Sequence, residues 1–307
     1  MLCYNQFKRS IYCRCKTLFR TIARLVNTFY EFLVCSKDCI IIDSWVEYRF
    51  GRLKQRNWGD ELNVHVIEYI TKKKVINKSD VYIRNKINYS AIGSIIPASI
   101  NNYSIIWGTG AAHPNKMNLT TKPIKVCAVR GKLTRNYLIS NGIDCPEVYG
   151  DPALLLPLIY APKKSKKYRL GLICHINDES NLNYKKFIAN HLENDVLPIY
   201  LHDYGDWRTV IDKICSCEVI ASSSLHGIIV ADAYGVPNIW LKSYVHLHGG
   251  DFKFLDYFSG VNRIPPEPII LTEDYNLDNL IESAADYVPI NYDSKPLLQA
   301  CPFKIEI

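Results

Sequence analysis

From residue 90 to residue 241 the chain alternates short apolar runs with longer stretches whose apolar positions recur every three or four residues. The runs predict strands over 90–96, 104–107, 125–129, 169–175, 196–201, 219–221 and 238–241. The longer stretches predict helices over 61–71, 133–140, 207–215 and 226–234, and Gly142 and Gly235 stand where two of them should stop. Strand and helix in alternation predict a parallel α/β fold, because each parallel pair needs a crossover that a helix supplies.

The pattern breaks between residues 157 and 168, where Pro157, Pro162 and the run Lys163, Lys164, Lys166, Lys167 interrupt it. Prolines and bunched like charges mark a linker. The expected organisation is a basic amphipathic helix over 1–37, a Rossmann-like lobe over 38–160, a second over 161–285, and an irregular tail over 286–307. Two such lobes set a cleft between the carboxyl ends of two sheets, where ligands of α/β proteins bind.

Charge changes the picture at the amino end. Of the net charge of +7, residues 1–37 carry +6, from Lys8, Arg9, Arg14, Lys16, Arg20, Arg24 and Lys37 against Glu31. The remainder is nearly neutral, unlike a uniformly basic nucleic-acid binder. Between Phe7 and Val34 these charges interleave with Leu18, Ile22, Leu25, Val26, Phe29 and Phe32 at helical spacing. That stretch is too charged to span a membrane and lacks the small-residue cleavage site of a signal peptide. Two readings stay open: a basic helix resting on an anionic membrane face, or a helix packed on its own domain. The eleven cysteines include C-x-C pairs at Cys13/Cys15 and Cys215/Cys217 but no C-x-x-C spacing, and they read as reduced, mostly buried thiols of a cytoplasmic protein. No carboxylate or Cys/His cluster has ligand spacing, so no metal is expected.

Four segments carry candidate chemistry. Asn57-Trp58-Gly59-Asp60-Glu61 opens a helix, with Asp60 either its N-cap or a polar group aimed into the cleft. Trp107-Gly108-Thr109-Gly110-Ala111 follows an apolar run, as Gly93-Ser94 follows another; glycines there make a tight turn or let backbone amides approach an anion. Neither a dinucleotide fingerprint nor a Walker loop is completed. Val129-Arg130-Gly131-Lys132 takes a strand straight into a helix, leaving Arg130 at the strand's carboxyl end, where a guanidinium can grip carboxylate or phosphate. Ser222-Ser223-Ser224-Leu225-His226-Gly227 precedes an apolar helix; its hydroxyls and free amides form an anion site with a proton-exchanging His226 beside it, or else the serines cap and His226 is interior.

Taken in order, these segments resemble the polysaccharide pyruvyl transferase family. The matching pieces are Asn57-x-Gly59-Asp60, Arg130-Gly131-x-Leu133-Thr134-Arg135, Tyr149-Gly150-Asp151-Pro152-Ala153, Ser223-x-Leu225-His226-Gly227-x-x-x-Ala231-Asp232-Ala233-Tyr234-Gly235, and Phe252-Lys253-Phe254 with Asp256-Tyr257. The resemblance implies two glycosyltransferase-B-like lobes and phosphoenolpyruvate as co-substrate, with no cofactor. It implies His226 and Arg130 as catalytic, and a donor site of Ser222, Ser223, Ser224, Leu225, Lys253, Gly108, Thr109 and Gly110. Asn57, Gly59, Asp60 and Asp151 would face the acceptor or the cleft. Many relatives carry arginine where this chain has Ser224, so Lys253 is expected to supply the missing cation.

The product would be a pyruvate ketal on a sugar, the acceptor a lipid-linked oligosaccharide of a surface polysaccharide. The enzyme would sit in the cytoplasm, peripheral on the inner face of a bacterial membrane through residues 1–37. Two rivals remain: a nucleotide-sugar glycosyltransferase of the same architecture, against which no Glu/Asp pair is placed to read a ribose, and a catalytically silent polysaccharide-assembly protein.

Overall fold

The computed structural model describes residues 21–26, 28–29, 39–49, 52–55, 57–81, 85–112, 119–163, 165–191, 195–245 and 250–306. Of the basic segment over 1–37, residues 21–26 and 28–29 are helical, and the rest of that expectation lies outside the described residues.

The chain is α/β, built on two parallel sheets. The first orders its strands β4-β1-β5-β6-β7, with β1 Ile40–Ile42, β4 Val75–Asn77, β5 Asn88–Ser90, β6 Ser104–Trp107 and β7 Lys125–Ala128. The second orders them β11-β10-β8-β9, with β8 Tyr168–Ile173, β9 Val196–Pro198, β10 Cys217–Ser222 and β11 Asn238–Trp240. An antiparallel hairpin, β2 Glu47–Arg49 and β3 Arg52–Gln55, projects between β1 and the first described long helix, α1 Trp58–Thr71. The further helices are α2 Lys132–Ser140, α3 Leu156–Ile159, α4 Leu182–Asn190, α5 Arg208–Cys215, α6 Leu225–Ala233, α7 Phe252–Gly260, α8 Leu277–Glu282 and α9 Lys295–Gln299.

Strand alternation sorts the cores. In β8 and β10, Leu170, Leu172, Val219 and Ala221 face one apolar cluster, while Ile173 and Ile220 turn to another. That other cluster is shared by both sheets: Ile40, Ile42 and Trp107 from the first and Ile220 and Trp240 from the second join Leu62, Ile67 and Ile70 of α1 and Ile228 to Ala231 of α6. Both helices pack on the 3-10 turn Pro152–Leu155. α6 is apolar almost all round because it is wrapped on all sides, which is what a helix of that composition requires.

The expected helices lie within about one turn of those found. The strand expected over 90–96 instead ends at Ser90, and the chain then turns through Ile92-Gly93-Ser94. The tail over 286–306 packs against the first sheet. Leu297 is fully buried, Trp107 Nε1 donates to its carbonyl at 2.9 Å, and Phe303 packs on Tyr89 and Trp107. Leu297→Ala should therefore cost about 2–4 kcal/mol in urea denaturation; a loss below about 0.5 kcal/mol, the range of an indifferent surface change, would show the tail to be dispensable.

Candidate active site

The amino ends of α1 and α6 meet. Asn57 precedes α1, and Ser224 precedes α6, whose second residue is His226. The imidazole of His226 lies on Gly59: a methyl group added there would collide with Nδ1 and Cγ of the ring. Glycine is thus what allows the two helices so close an approach.

The N-cap reading of Asp60 is corrected, because Asn57 holds the cap position and its amide donates to Asp60 Oδ2. Asp60 instead points inward, 5% exposed, with Oδ1 lacking a hydrogen-bond partner among the described residues. One turn on, Asn63 fastens α1 to the loop leaving β5: its Nδ2 donates to the Ile92 carbonyl at 2.9 Å, and its Oδ1 accepts from Ile92 N at 2.8 Å.

Arg130 stands at the carboxyl end of β7, fully buried. All of its N–H groups are engaged by the protein. Nε donates to Asp256 Oδ2 at 3.0 Å and NH2 pairs with the same oxygen at 3.0 Å; NH2 also donates to Ala111 O at 3.2 Å, and NH1 donates to Ser94 Oγ at 2.6 Å and Gly93 O at 3.5 Å. Gly110 lies against the guanidinium so tightly that a side chain there would displace it. Thr109 spends its hydroxyl on Gly93 O at 2.7 Å, and Gly108 takes a positive φ of 99° beside Pro152. Gly108, Thr109 and Gly110 therefore seat Arg130, and Arg130 ties three strand-end loops together. The guanidinium thus spends its donors on the loops and helix around it.

The serines divide similarly. Ser222 Oγ donates to Ser224 O at 2.8 Å and accepts from Ser224 N at 3.0 Å. Ser223 Oγ donates to Asp178 Oδ2 at 2.9 Å and accepts from His175 N at 2.9 Å. Leu225 is core. Ser224 makes no side-chain cap, and the first helical bond of α6 is from Ile228 N to Ser224 O, so the amides of residues 225–227 point out of the helix end.

Two residues absent from the sequence reading complete the second half of the site. Asp178, fully buried, also accepts from Ser243 Oγ at 2.9 Å and Tyr244 N at 3.1 Å, which draws the loop after β11 onto the loop after β8. Nothing in its polar surroundings, Asn177-Asp178-Glu179, distinguishes it from a solvated turn. His175 could have been found, since it follows β8 at the carboxyl edge of the second sheet, as Arg130 follows β7 at that of the first.

Electrostatics bind the cluster into one unit. Burial first, and then the charges of Arg130, Lys253 and His175, push His226 down to about 3; its Nε2 is sealed from solvent and has no hydrogen-bond partner among the described residues. Burial raises Asp60 to about 7, helped by the nearby Asp151. Asp151 caps Ala153 N at 3.0 Å with one oxygen, leaves Oδ2 unpartnered, and is likewise raised by burial to about 7. Lys253 at the start of α7 is buried, pairs with no carboxylate among the described residues, and is lowered to about 8 by burial and then by Arg130. His175 falls to about 4 by burial and then by Lys253. Acids raised, imidazoles lowered and a cation lowered by burial and by one another mark a candidate site that favours an incoming charge.

The structure thus brings together Asp60, Asp151, His226 and Lys253, with the α6 amino end and Gly59 between them. The sequence model of the polysaccharide pyruvyl transferase family matches residues 30–243, and the chain belongs to that family. It is similar to an uncharacterized protein, L143, of Acanthamoeba polyphaga mimivirus, 31% identical over 218 residues that make up 69% of this chain and 74% of that one. No solved structure matches the chain.

The raised carboxyl of Asp60 gives a signed expectation. Unfolded, the group ionises near 3.8; folded, it keeps its proton to about 7, so its contribution to stability falls as pH rises across that window. Asp60→Asn escapes this loss. The stability of the variant relative to the natural chain should improve by roughly 1–3 kcal/mol from pH 5 to pH 8 in paired denaturation curves, and a constant difference would mean that Asp60 ionises normally.

Proposed function

We propose that the chain transfers the pyruvyl group of phosphoenolpyruvate to two hydroxyls of one sugar in a polysaccharide precursor, forming a ketal and releasing phosphate. The observation that carries this reading is the convergence of three sealed, unpartnered polar atoms, Asp60 Oδ1, Asp151 Oδ2 and His226 Nε2, beside a buried lysine and a helix amino end. A buried polar atom without a partner is costly, and a ligand that satisfies several at once recovers that cost. The cation and helix end suit an anion, and the acids and imidazole suit proton transfer to it. We take the two sheets as the paired Rossmann-like halves, over 38–160 and 161–285, of a glycosyltransferase-B-like arrangement.

The chemistry follows from the charges. An anionic donor set against Lys253 and the α6 amino end brings negative charge to His226, which raises its affinity for a proton. His226 then protonates the methylene carbon of the donor, leaving an oxocarbenium-like centre that carries the phosphate. One sugar hydroxyl adds and returns its proton to the imidazole. Phosphate leaves, taking the proton of the second hydroxyl as that oxygen closes the ketal. Arg130 acts at one remove, by holding the strand-end loops, and Lys253 supplies the cation missing at Ser224.

Thermal denaturation with phosphoenolpyruvate, beside a panel of nucleotide sugars, tests the donor. At 100 times its dissociation constant the donor should stabilise the chain by about 2.7 kcal/mol. Lys253→Met should remove most of that shift, and His226→Ala should abolish phosphate release while retaining donor binding. A shift with nucleotide sugars alone would assign glycosyl transfer instead, and His226→Ala activity within about tenfold of the natural chain would remove the imidazole from the reaction.

For the acceptor we propose a lipid-linked oligosaccharide, reached from a membrane face through residues 1–37. In the described part of that segment Ile22, Leu25, Val26 and Phe29 lie exposed at helical spacing, and the segment's +6 charge suits anionic lipid. Deleting residues 1–37 should release the chain from phosphatidylserine-containing vesicles in co-sedimentation; unchanged binding would place the membrane-binding surface elsewhere.

A further inference from the structure

His175, which follows β8, stands at the amino end of α6. The register of the second sheet fixes its height. Ile173 is level with Ser222, so residue 175 comes level with Ser224, the residue that precedes α6. The backbone agrees, since His175 N donates to Ser223 Oγ at 2.9 Å and Ser223 N to Ile173 O at 3.0 Å.

Strand alternation sets the direction of the side chain. Along β8 and just beyond it, Leu170, Leu172 and Cys174 turn to one apolar cluster, and Ile173 turns to the other. Ile173 thereby lies beneath the first turn of α6, its Cδ1 only 3.1 Å from where a Cβ on Gly227 would be. His175 continues the series of Ile173, roughly 6–7 Å further along the chain. That carries it past Gly227 to the open end of the helix, on the side of the sheet where α6 and α1 pack.

The ring has one nitrogen spent and one free. Asn177 N donates to His175 Nδ1 at 3.2 Å, so Nδ1 keeps its lone pair and the proton of the neutral imidazole sits on Nε2. Burial, and then the charge of Lys253, hold the ring in that neutral form by lowering it to about 4. Nε2–H has no acceptor among the described residues, and the ring is half-buried. A fixed tautomer with a spare donor suits a ligand that accepts.

The surroundings define that ligand. α6 is nine residues long, and the amides of residues 225–227 leave its end without helical partners. Lys253, 7% exposed, pairs with no carboxylate among the described residues, and His226 Nε2 in the first turn of α6 is sealed without a hydrogen-bond partner. Outward amides, an imidazole N–H and a buried ammonium all lack acceptors at one helix end. A carboxylate brings two oxygens to such a set, whereas a phosphoryl group brings three and the larger charge.

We propose that His175 is a phosphate-binding residue, its Nε2–H donating to an oxygen of a phosphoryl group held at the amino end of α6. The proposal rests on the pyruvyl-transfer reading for the identity of the donor, and on the helix end itself for the class of ligand.

The test uses the full chain, with inorganic phosphate and phosphoenolpyruvate as separate probes. In thermal-shift titrations His175→Ala should weaken both at least about tenfold, as loss of one hydrogen bond to a charged group predicts. His175→Gln, which keeps an N–H donor at similar reach, should restore most of that affinity. In proton–nitrogen NMR of the natural chain, phosphate should move the His175 Nε2–H resonance, assigned by its absence from His175→Gln. A resonance that phosphate leaves in place would overturn the proposal even if His175→Ala failed to fold. Equal phosphate affinity in His175→Ala and the natural chain would also overturn it, as would a natural chain that binds no phosphate. The two probes separate the readings. Phosphate binding that needs His175, with no phosphoenolpyruvate shift, keeps the site and sinks the donor. A phosphoenolpyruvate shift that His175→Ala leaves intact keeps the donor and sinks the role of His175.

Discussion

The buried pair of Arg130 and Asp256 is the interaction on which the site depends. Asp256 lies in α7, which follows the second sheet, and Arg130 ends the last strand of the first. Both side chains are fully buried, and the carboxylate also takes Thr134 N and Thr134 Oγ1, each at 2.7 Å. Around them Gly131 lies against the Asp256 carbonyl and Gly260 against that of Arg130, so α7 and the β7–α2 turn touch backbone to backbone. Ion pairs so deep yield modest net stability, but removal of one partner strands the other charge and costs about 3–5 kcal/mol. What the pair secures is registry: it sets α7, and with it Lys253, against loops that belong to the other sheet.

Registry of that kind explains why so many polar groups near the centre are already committed. Thr109, Ser223, Asn63 and Asp178 spend hydrogen bonds on neighbouring loops, and Ser222 spends its own on the turn into α6. They form a rigid surround in which a few groups remain uncommitted. Preorganised sites work in this way, with the geometry fixed before the ligand arrives and the unsatisfied groups aimed at where its charge will be.

The fold was legible where periodicity was strong. β6, β7, β8 and β10, and the helices α1, α2, α5 and α6, follow from runs and spacings that burial on two sides enforces. The three-residue strands β1 and β4 were not, because so short a segment carries no period, and the inward packing of Leu297 and Phe303 was hidden in a proline-rich stretch. Of the candidate site, residue type at strand and helix ends singled out His226, Asp60 and Arg130, and Asp151 came from the family resemblance. Pattern could not say which polar groups were spent. Arg130 looked like a ligand because a guanidinium at a sheet edge often is one; only Asp256, 126 residues further along the chain, shows where its donors go.

The close approach of Gly59 and His226 has a consequence for how such sequences change over time. The two residues lie 167 positions apart in the sequence yet share one volume, so no side chain can be added at 59 while the imidazole stays where it is. A chain with a side chain at 59 needs a smaller group at 226 or a wider gap between the helices. Bulk at the start of one helix is thus bounded by the ring carried at the start of the other, a constraint between two segments that the sequence presents as unrelated.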